Sequence, residues 1–237
     1  MRVEIWAEIT CPWCGLGAHR LHRAVERFEH AERVEVVHRS FPLGGGFPAD
    51  RTVGVREALR SNHGIGGDEA EAATRHIEEL AASEGLSPYR VLDNQVANTD
   101  RTHEFLAHAS AEGRNRSAWD AVFRAYFGRA QPGFALDDLL ELADELNLDR
   151  ARTRQALVER RYDSQVRADA RRARQLGATG APFILVDGRY GVPGAQDSET
   201  LLGLLRTAWD ESRPATAVPA GGAPVCEPAG CAAPARD

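Results

Sequence analysis

Two cysteines near the start of the chain, in the segment Cys11-Pro12-Trp13-Cys14, have the spacing of a redox-active dithiol. Thiols separated by two residues can close into a disulfide, and a helix N-terminus stabilises a thiolate through its unpaired N–H groups and its dipole. If a helix begins here, Cys11 is the exposed nucleophile. Cys14 then lies about one turn further along the same face, where it can attack a mixed disulfide formed at Cys11. Pro12 suits the first turn because it has no N–H to leave unpaired.

The alternative chemistry for closely spaced cysteines is half of a zinc site, because His19 and His22 follow Cys14. On a continuous helix His19 lies about 140° and His22 about 80° around the axis from Cys14, so the two imidazoles cannot both converge on the thiolates. Zinc fingers also need a much longer gap between their ligand pairs. We therefore favour redox chemistry, expect neither a metal nor an organic cofactor, and interpret both histidines as solvated helix positions.

The segments around the dithiol have the pattern of a β-α-β unit. Residues 3–9 alternate between apolar and polar side chains as a short strand does, and residues 15–29 have the periodicity of a helix. Residues 34–41 predict a second strand. Because such crossovers are right-handed, the two strands should pair in parallel, with the thiols at the carboxyl end of the first strand.

The middle of the chain, residues 50–176, has the pattern of helices almost throughout and contains no convincing strand. Apolar side chains such as Leu139 and Leu142 recur there at helical spacing. A helical block of this length between strands should form a subdomain that lies over the thiols. Its surface near the dithiol should then select substrates.

Two further strands and a helix follow the helical block. Pro182 stands where a strand can start, residues 183–186 are apolar, and Asp187-Gly188 between two apolar runs is a hairpin signal. The order β-α-β, helical block, β-β-α predicts an α/β protein with a thioredoxin fold that carries a large all-helical insertion.

This order divides the chain into four parts. The first half of the thioredoxin domain takes residues 1–49, the helical insertion takes residues 50–176, and the second half takes residues 177–211. The tail, residues 212–237, is rich in proline, alanine and glycine and has no aromatic residue, leucine or isoleucine. Such a segment cannot bury enough apolar surface to offset its chain entropy, so we expect it to be flexible.

The composition excludes several classes of function. A net charge of -6 over 237 residues argues against nucleic acid or an anionic membrane as the partner. All 29 basic residues are arginine, which excludes Schiff-base and lysine general-base chemistry. The sequence has no secretory signal and no run of about 18 apolar residues. We therefore expect a cytoplasmic protein, in which four cysteines in two close pairs serve thiol exchange rather than a structural framework.

Further motifs follow the dithiol in order along the chain. They are Asn98-Thr99 with His103 and Leu106, Tyr126-Phe127, Gly177-Ala178-Thr179-Gly180-Ala181-Pro182-Phe183, and Gly194-Ala195-Gln196. Together with the dithiol segment, they resemble the DsbA-type thiol-disulfide oxidoreductases, specifically the FrnE-like branch, over roughly residues 3–210.

The resemblance implies roles for individual residues. Cys11 would be the attacking thiol, Cys14 the resolving thiol, and Pro182 a cis-proline that faces them. A cis-proline turns the preceding backbone outward, so the N–H and C=O of Ala181 could pair with an extended substrate near the sulfurs. The residues expected to bind substrate or tune the dithiol are Pro12, Trp13, Ala181 and Pro182.

The tail contains a second pair of cysteines, Cys226 and Cys231. The residues from Arg213 to Cys226 could extend at most about 40 Å, far enough to reach the dithiol. One hypothesis is an auxiliary redox pair that exchanges with Cys11 at the high effective concentration of a tethered thiol. A local disulfide that pins the tail and transient metal binding are the alternatives. Similar tail pairs occur in FrnE-like proteins.

The sequence as a whole predicts a cytoplasmic protein dithiol-disulfide oxidoreductase that oxidises, reduces or isomerises disulfides through Cys11 and Cys14. Its expected partners are protein or peptide thiols and disulfides, with glutathione or a thioredoxin-type protein as candidate reductants. One alternative is a glutathione-dependent isomerase or transferase of the hydroxychromene-carboxylate isomerase type, but those enzymes have a serine where a thiol attacks here. The other alternative is a zinc-binding or holdase module.

Overall fold

The computed structural model describes residues 1–43, 51–130, 135–212, 226–227 and 230–231. The strands are β1 (Arg2–Ala7), β2 (Glu35–Ser40), β3 (Val53–Gly54), β4 (Gln95–Val96), β5 (Phe183–Val186), β6 (Tyr190–Pro193), β7 (Cys226–Glu227) and β8 (Gly230–Cys231). The α-helices are α1 (Pro12–Glu26), α2 (Val55–His63), α3 (Gly67–Ser83), α4 (Asp100–Ala111), α5 (Asn115–Phe123), α6 (Leu136–Glu145), α7 (Arg150–Val158), α8 (Asp163–Gln175) and α9 (Ser198–Ser212). A 3₁₀ turn at Ala31–Arg33 precedes β2, and a π-helical turn at Arg124–Gly128 continues α5.

The central sheet has four strands in the order β2-β1-β5-β6. β1 pairs in parallel with β2 and antiparallel with β5, and β5 pairs antiparallel with β6. The predicted parallel pairing of the first two strands is confirmed. The order and pairing are those of a thioredoxin fold interrupted by a helical insertion, as the sequence predicts.

The hairpin between β5 and β6 turns at the predicted dipeptide. Asp187 and Gly188 have φ values of 52° and 69°, so both central residues are in the left-handed region. The Arg189 N–H donates to the Val186 carbonyl at 3.0 Å and closes the turn. Two central residues with positive φ match the twist of the flanking strands, which is why Asp-Gly favours a hairpin here.

Side chains of β1 alternate between two cores on opposite faces of the sheet. Val3 and Ile5 are fully buried in the core formed with α1 and α9. Trp6 points to the other face, where its ring packs against Phe183 and the alanines of α8. The Trp6 indole N–H donates to the Asp169 carbonyl of α8 at 2.9 Å. Helix α8 of the insertion therefore covers one face of the sheet, and α1 and α9 pack on the other face in a core that other helices of the insertion share.

The part of the insertion that the structure describes contains one short pair of strands besides its helices. β3 pairs antiparallel with β4, so the expectation of a block without strands is wrong at this point. Phe105 of α4 and Trp119 of α5 belong to the same continuous core as Ile5 of β1. Within the described ranges, none of the helices is both long and apolar enough to cross a lipid bilayer.

Candidate active site

The dithiol lies at the N-terminus of α1, just after the carboxyl end of β1. Cys11 is the N-cap residue with an extended backbone, and Pro12 is the first helical residue. The Cys14 N–H donates to the Cys11 carbonyl at 2.9 Å and forms the first turn. Cys11 is half-buried, Cys14 is fully buried, and both thiols are free. The more accessible thiol is thus the one that the spacing predicts to be the nucleophile.

The surroundings shift the two thiol pKa values in opposite directions. The hydrogen bond from the Cys14 thiol lowers the pKa of Cys11 most, burial opposes it, and the N–H groups of Cys14 and Trp13 lower it further. Burial raises the pKa of Cys14 well above its ordinary value, and its hydrogen bond to Cys11 raises it further. Cys11 is therefore the thiol that ionises first, as a nucleophile must.

A cis-proline from the second half of the domain lies against the dithiol. The Ala181–Pro182 peptide bond is cis, and the Cys11 thiol donates to the Ala181 carbonyl at 3.7 Å. Gly17 lets α1 approach this loop closely, because a Cβ there would lie 3.0 Å from the Pro182 Cγ. The backbone before the proline is thus next to the half-exposed sulfur, in the position that the resemblance implies.

The two residues between the thiols have different surroundings. The Trp13 side chain is exposed. The Pro12 carbonyl instead accepts a hydrogen bond from the Tyr89 hydroxyl at 2.5 Å. The Tyr89 ring stacks on Phe127, with the ring centroids 4.4 Å apart. The insertion therefore holds the backbone of the dithiol segment through Tyr89, a contact that no local sequence pattern indicates.

A buried carboxylate, Glu8, lies next to the dithiol and is not among the residues predicted from the sequence. It is 1% exposed, and its own backbone N–H donates to Cys14 Sγ at 3.3 Å. Its carboxylate accepts hydrogen bonds from the N–H of Leu43 at 2.7 Å, the N–H of Thr10 at 3.2 Å and the hydroxyl of Thr99 at 3.1 Å. Because both oxygens have donors, a negative charge can be held in the interior beside the thiols.

His103 of α4 joins the insertion to this carboxylate. Its ring is fully buried, with Nε2 at 3.7 Å from Glu8 Oε2. Burial raises the pKa of the Glu8 carboxyl, but the contact with His103 and the backbone donors outweigh burial and hold this pKa below its ordinary value. The charge of Glu8 in turn raises the pKa of both thiols. The one sequence signal for Glu8 is a charged residue between apolar neighbours at the end of a buried strand.

The expectation that both histidines of α1 are solvated is wrong for His22. This residue is 7% exposed because α5 covers that side of α1, where Asp120 Oδ1 lies 3.8 Å from His22 Nδ1. Burial lowers the pKa of His22 to about 3. His19 is half-buried and donates from Nε2 to the Glu84 carbonyl at 2.9 Å. In the described parts of the chain, no group of three or more His, Cys, Asp or Glu side chains is arranged to hold a metal ion.

The second cysteine pair lies in the short strands of the tail. β7 and β8 pair antiparallel, with Cys226 directly opposite Cys231. Residues at such positions have Cα atoms about 4.5–5.5 Å apart, a separation that a disulfide can bridge. The rest of the tail beyond Ser212 lies outside the described residues, so its flexibility stays a prediction.

Comparison with known proteins agrees with this geometry. Residues 2–206 match the family model of the DSBA-like thioredoxin domain. A probable DsbA oxidoreductase from Streptomyces coelicolor is 39% identical, with a TM-score of 0.85 over 99% of this chain and 100% of that chain. No curated protein sequence matches the chain.

Two more distant structures share the fold. The cytosolic disulfide reductase DsbM from Pseudomonas aeruginosa, solved with GSH, is 18% identical, with a TM-score of 0.61 over 89% of this chain and 100% of that chain. A 2-hydroxychromene-2-carboxylate isomerase is 17% identical, with a TM-score of 0.63 over 89% of this chain and 95% of that chain. The chain belongs to the family of DSBA-like thioredoxin domains.

Proposed function

We propose that the chain is a protein thiol-disulfide oxidoreductase whose redox centre is the pair Cys11 and Cys14. One observation carries the proposal. A half-exposed thiol with a lowered pKa, at the start of a helix, lies 3.7 Å from the Ala181 carbonyl that precedes the cis-proline Pro182. This arrangement combines a nucleophile, a resolving thiol and a free backbone segment for substrate within one site.

In the reducing direction, the Cys11 thiolate attacks one sulfur of a substrate disulfide. A mixed disulfide forms, and the other substrate sulfur leaves as a thiolate. Cys14 then loses its proton and attacks Cys11 Sγ, which releases the second substrate thiol and leaves the Cys11–Cys14 disulfide. The raised pKa of Cys14 keeps it protonated until the mixed disulfide has formed.

In the oxidising direction, the same steps run in reverse. A substrate thiolate attacks the Cys11–Cys14 disulfide at Cys11, and Cys14 leaves as a thiolate. A second substrate thiolate then attacks the substrate sulfur that is bonded to Cys11. The substrate disulfide forms, Cys11 leaves as a thiolate, and the pair is reduced again. In isomerisation, Cys11 first forms the mixed disulfide as in reduction. A different thiolate of the same substrate then attacks this mixed disulfide and releases Cys11.

Extended polypeptide suits the backbone beside the thiols. The N–H and C=O of Ala181 can pair with a substrate strand, with the exposed Trp13 ring as a flanking contact. Pro12 stabilises the start of the helix that activates Cys11. Glutathione is a candidate small-molecule reductant, a role that the DsbM structure with GSH supports, and a thioredoxin-type protein is the other.

We place the protein in the cytoplasm and in the FrnE-like branch of the family. Four cysteines in two close pairs suit thiol exchange in a reducing compartment, which supports the first assignment, and the order of motifs supports the second. The rival glutathione-dependent isomerase has less support, because the present chain has two thiols where that reaction needs none from the protein.

Substitution of the attacking thiol tests the proposal. We expect Cys11→Ser to abolish both insulin reduction and the oxidative refolding of reduced ribonuclease, because the thiol that remains in the site, Cys14, is fully buried and has a raised pKa. Cys14→Ser should instead accumulate a mixed disulfide with the substrate. A Cys11→Ser protein with full activity in both assays would contradict the proposal. The equilibrium of the pair in glutathione buffers then gives the dominant direction.

We also propose that Cys226 and Cys231 exchange with Cys11. Trp209 near the end of α9 packs on Phe28 and His30, just beyond the C-terminus of α1. For Cys226 to reach Cys11 from this end of α1, the tail has to cover the length of the helix, whose 15 residues measure about 22 Å. The chain from Arg213 to Cys226 spans this distance, since it extends up to about 40 Å.

The tail proposal has its own test. Cys226→Ser with Cys231→Ser should slow the return of Cys11 and Cys14 to their starting redox state. The measurement is multiple-turnover insulin reduction and refolding of oxidised ribonuclease. Rates equal to those of the unsubstituted chain would reject exchange and leave a local disulfide or transient metal binding as the role of the tail pair.

A further inference from the structure

A groove of about 670 Å³ lies between α1 and the helical insertion. The α1 residues that line it are Gly15, Ala18, His19, His22, Arg23 and Glu26. They extend from the turn after Cys14 to the end of the helix. The 12 residues from Gly15 to Glu26 span about 16 Å along the helix axis, which matches about five residues of extended polypeptide.

The groove lies on the side of α1 that carries the attacking thiol. At 100° per residue, Gly15, His22 and Glu26 lie within about 60° of Cys11 around the helix axis. Gly17, which faces the cis-proline, lies about 120° away in the opposite sense. A substrate cysteine bound at Cys11 therefore has the proline loop on one side and the start of the groove on the other.

The floor of the groove is aromatic and connected to the dithiol. Phe123 and Phe127 line it together with Tyr89. Tyr89 stacks on Phe127 and donates its hydroxyl hydrogen bond to the Pro12 carbonyl. A substrate side chain that packs on these rings would thus be separated from the dithiol segment only by Tyr89.

The walls of the groove carry excess positive charge, although the whole chain has a net charge of -6. Arg124 and Arg129 on the insertion side form ion pairs with one carboxylate, that of Glu145, and Arg124 also interacts with the Asp120 carboxylate. Arg23 on the α1 side donates to the neutral Glu84 carbonyl at 3.5 Å, and it has no carboxylate partner within the described residues. These arginines can therefore pair with acidic groups of a ligand.

The far end of the groove is closed. Arg116 of α5 reaches Glu26 of α1 at 3.3 Å and Asp120 at 3.7 Å, so its charge is already neutralised. The cationic part of the groove therefore lies between this closed end and the dithiol, within reach of a segment bound through its cysteine at Cys11.

We propose that this groove binds the substrate polypeptide on one side of its reacting cysteine, as an extended segment with an apolar side chain on the aromatic floor and a carboxylate between Arg23 and Arg124. The proposal rests on the proposed function and names its substrate class, unfolded polypeptide with an acidic and apolar flank. The enzyme then selects substrates through the insertion, in addition to the backbone contacts at Ala181.

The test measures one exchange step with Cys11 as the sole thiol. All proteins carry Cys14→Ser, Cys226→Ser and Cys231→Ser, which leaves one of the four cysteines. The probes are short peptides with one cysteine, bonded as a mixed disulfide to thionitrobenzoate. The Cys11 thiolate attacks the peptide sulfur, the S–S bond breaks, and coloured thionitrobenzoate leaves with the electron pair.

The peptides differ in the residues that follow cysteine, which are Phe-Glu-Glu in one and Phe-Lys-Lys in the other. We expect the acidic peptide to react about tenfold faster, a difference of about 1.4 kcal/mol in the transition state. Arg23→Glu with Arg124→Glu should reverse the ratio in favour of the basic peptide. Because the ratio is measured within one protein, changes in thiol reactivity cancel.

Two further variants separate binding from folding. Arg23→Gln with Arg124→Gln, a milder change, should reduce the ratio to about one, since two attractive contacts are lost. Arg101→Glu with Arg171→Glu, the matched control on exposed positions of α4 and α8, should keep the tenfold ratio. If the rate ratio falls as much in this control as in the groove variant, the effect comes from the net charge of the protein and the proposal is overturned.

The remaining outcomes are equally decisive. If the two peptides react at equal rates with the protein that keeps Arg23 and Arg124, the proposal is overturned while the proposed function stands. Failure of Cys11 to react even with an uncharged hydroxyethyl mixed disulfide would instead overturn the proposed function. If S-methylglutathione competes with the acidic peptide but an unreactive peptide with serine in place of cysteine does not, the groove binds a small molecule and the proposal is wrong.

Discussion

Two electrostatic influences of opposite sign act on Cys11 at the scale of single residues. The Cys14 thiol and the N–H groups of the first helical turn lower the pKa of Cys11. The buried charge of Glu8 raises it. A more stable thiolate favours the reduced form of a dithiol, so the first influence makes the pair a stronger oxidant and Glu8 makes it a stronger reductant. The direction of the reaction depends on this balance.

The role of Glu8 can be measured with Glu8→Gln. Loss of the charge should lower the pKa of Cys11 further and shift the potential of the pair toward oxidising values by on the order of 30 mV. It should also cost about 2 kcal/mol of stability, because the donors from Leu43, Thr10 and Thr99 lose a charged acceptor. The thiolate absorbance in the ultraviolet as a function of pH gives the pKa, and urea unfolding gives the stability.

Glu69→Gln on an exposed position of α3 is the matched control for this substitution. It removes the same charge from the chain without any contact to the site, so the pKa of Cys11 should not change. An unchanged or raised pKa in Glu8→Gln would show that Glu8 acts only as a structural acceptor.

At the scale of secondary structure elements, close approach between α1 and the insertion depends on Gly15. A Cβ there would lie 2.5 Å from the Tyr89 hydroxyl oxygen and 3.2 Å from the Phe127 ring. Contacts below 3.0 Å force a shift, and the Tyr89 hydroxyl is held by the Pro12 carbonyl. A larger residue at this position therefore has to displace the contact that holds the dithiol segment.

Gly15→Ala should for this reason destabilise the fold by about 1–3 kcal/mol, despite the higher helix propensity of alanine. Tyr89→Phe removes the clashing oxygen, so the double variant should lose less stability than the sum of the single variants. Gly203→Ala in α9 is the matched control, because its Cβ would meet nothing within 4 Å. We expect this control to gain about 0.5–1 kcal/mol. Urea unfolding measures all four, and additive losses at Gly15 and Tyr89 would contradict the contact.

Elements with a local pattern could be predicted from the sequence. The dithiol helix, the strands on both sides of it and the Asp187-Gly188 turn follow from periodicity and turn preferences within a few neighbouring residues. The strands β3 and β4 cannot be predicted in this way, because each has two residues, too few for an alternating pattern.

Contacts between distant parts of the chain could not be predicted in the same way. Glu8 and His103 are separated by 95 positions, and the Tyr89 hydroxyl and Pro12 carbonyl by 77. Such pairs depend on how the insertion packs on the thioredoxin domain, and no local preference of either residue encodes this packing. The burial of His22 cannot be predicted locally for the same reason, since the helix that covers it, α5, lies far along the sequence.

At the scale of the whole molecule, the insertion and the thioredoxin domain are joined by buried polar contacts as well as by the apolar core. Arg20 of α1 joins the insertion through hydrogen bonds to the Glu84 carboxylate at 2.5–3.1 Å. Its bond to the Ala195 carbonyl at 2.7 Å joins α1 to the second half of the thioredoxin domain. Asn115 of α5 pairs with both backbone groups of His38 in β2. The geometry of the site thus depends on the stability of the whole fold.

Acid should weaken the whole molecule through its buried histidines. Burial lowers the pKa of His22 to about 3 and that of His38 to about 4, from an ordinary value of 6.5. Below pH 6.5 these two histidines bind protons in the unfolded chain but stay neutral in the folded chain. Stability is therefore complete above this pH and falls as the pH decreases toward the folded values, by about 1.4 kcal/mol per pH unit for each histidine.

Urea unfolding at several pH values between 6.5 and 4.5 measures this loss. Glu8 contributes little in this window, because its pKa is held below the ordinary value of 4.5. His38→Phe should reduce the slope by about 1.4 kcal/mol per pH unit, because phenylalanine binds no proton in either state and can keep the stacking on Trp119. His76→Phe, on an exposed position of α3, is the matched control for a histidine-to-phenylalanine change. A slope that is the same in His38→Phe as in the parent chain would mean that His38 already takes up its proton in the folded state.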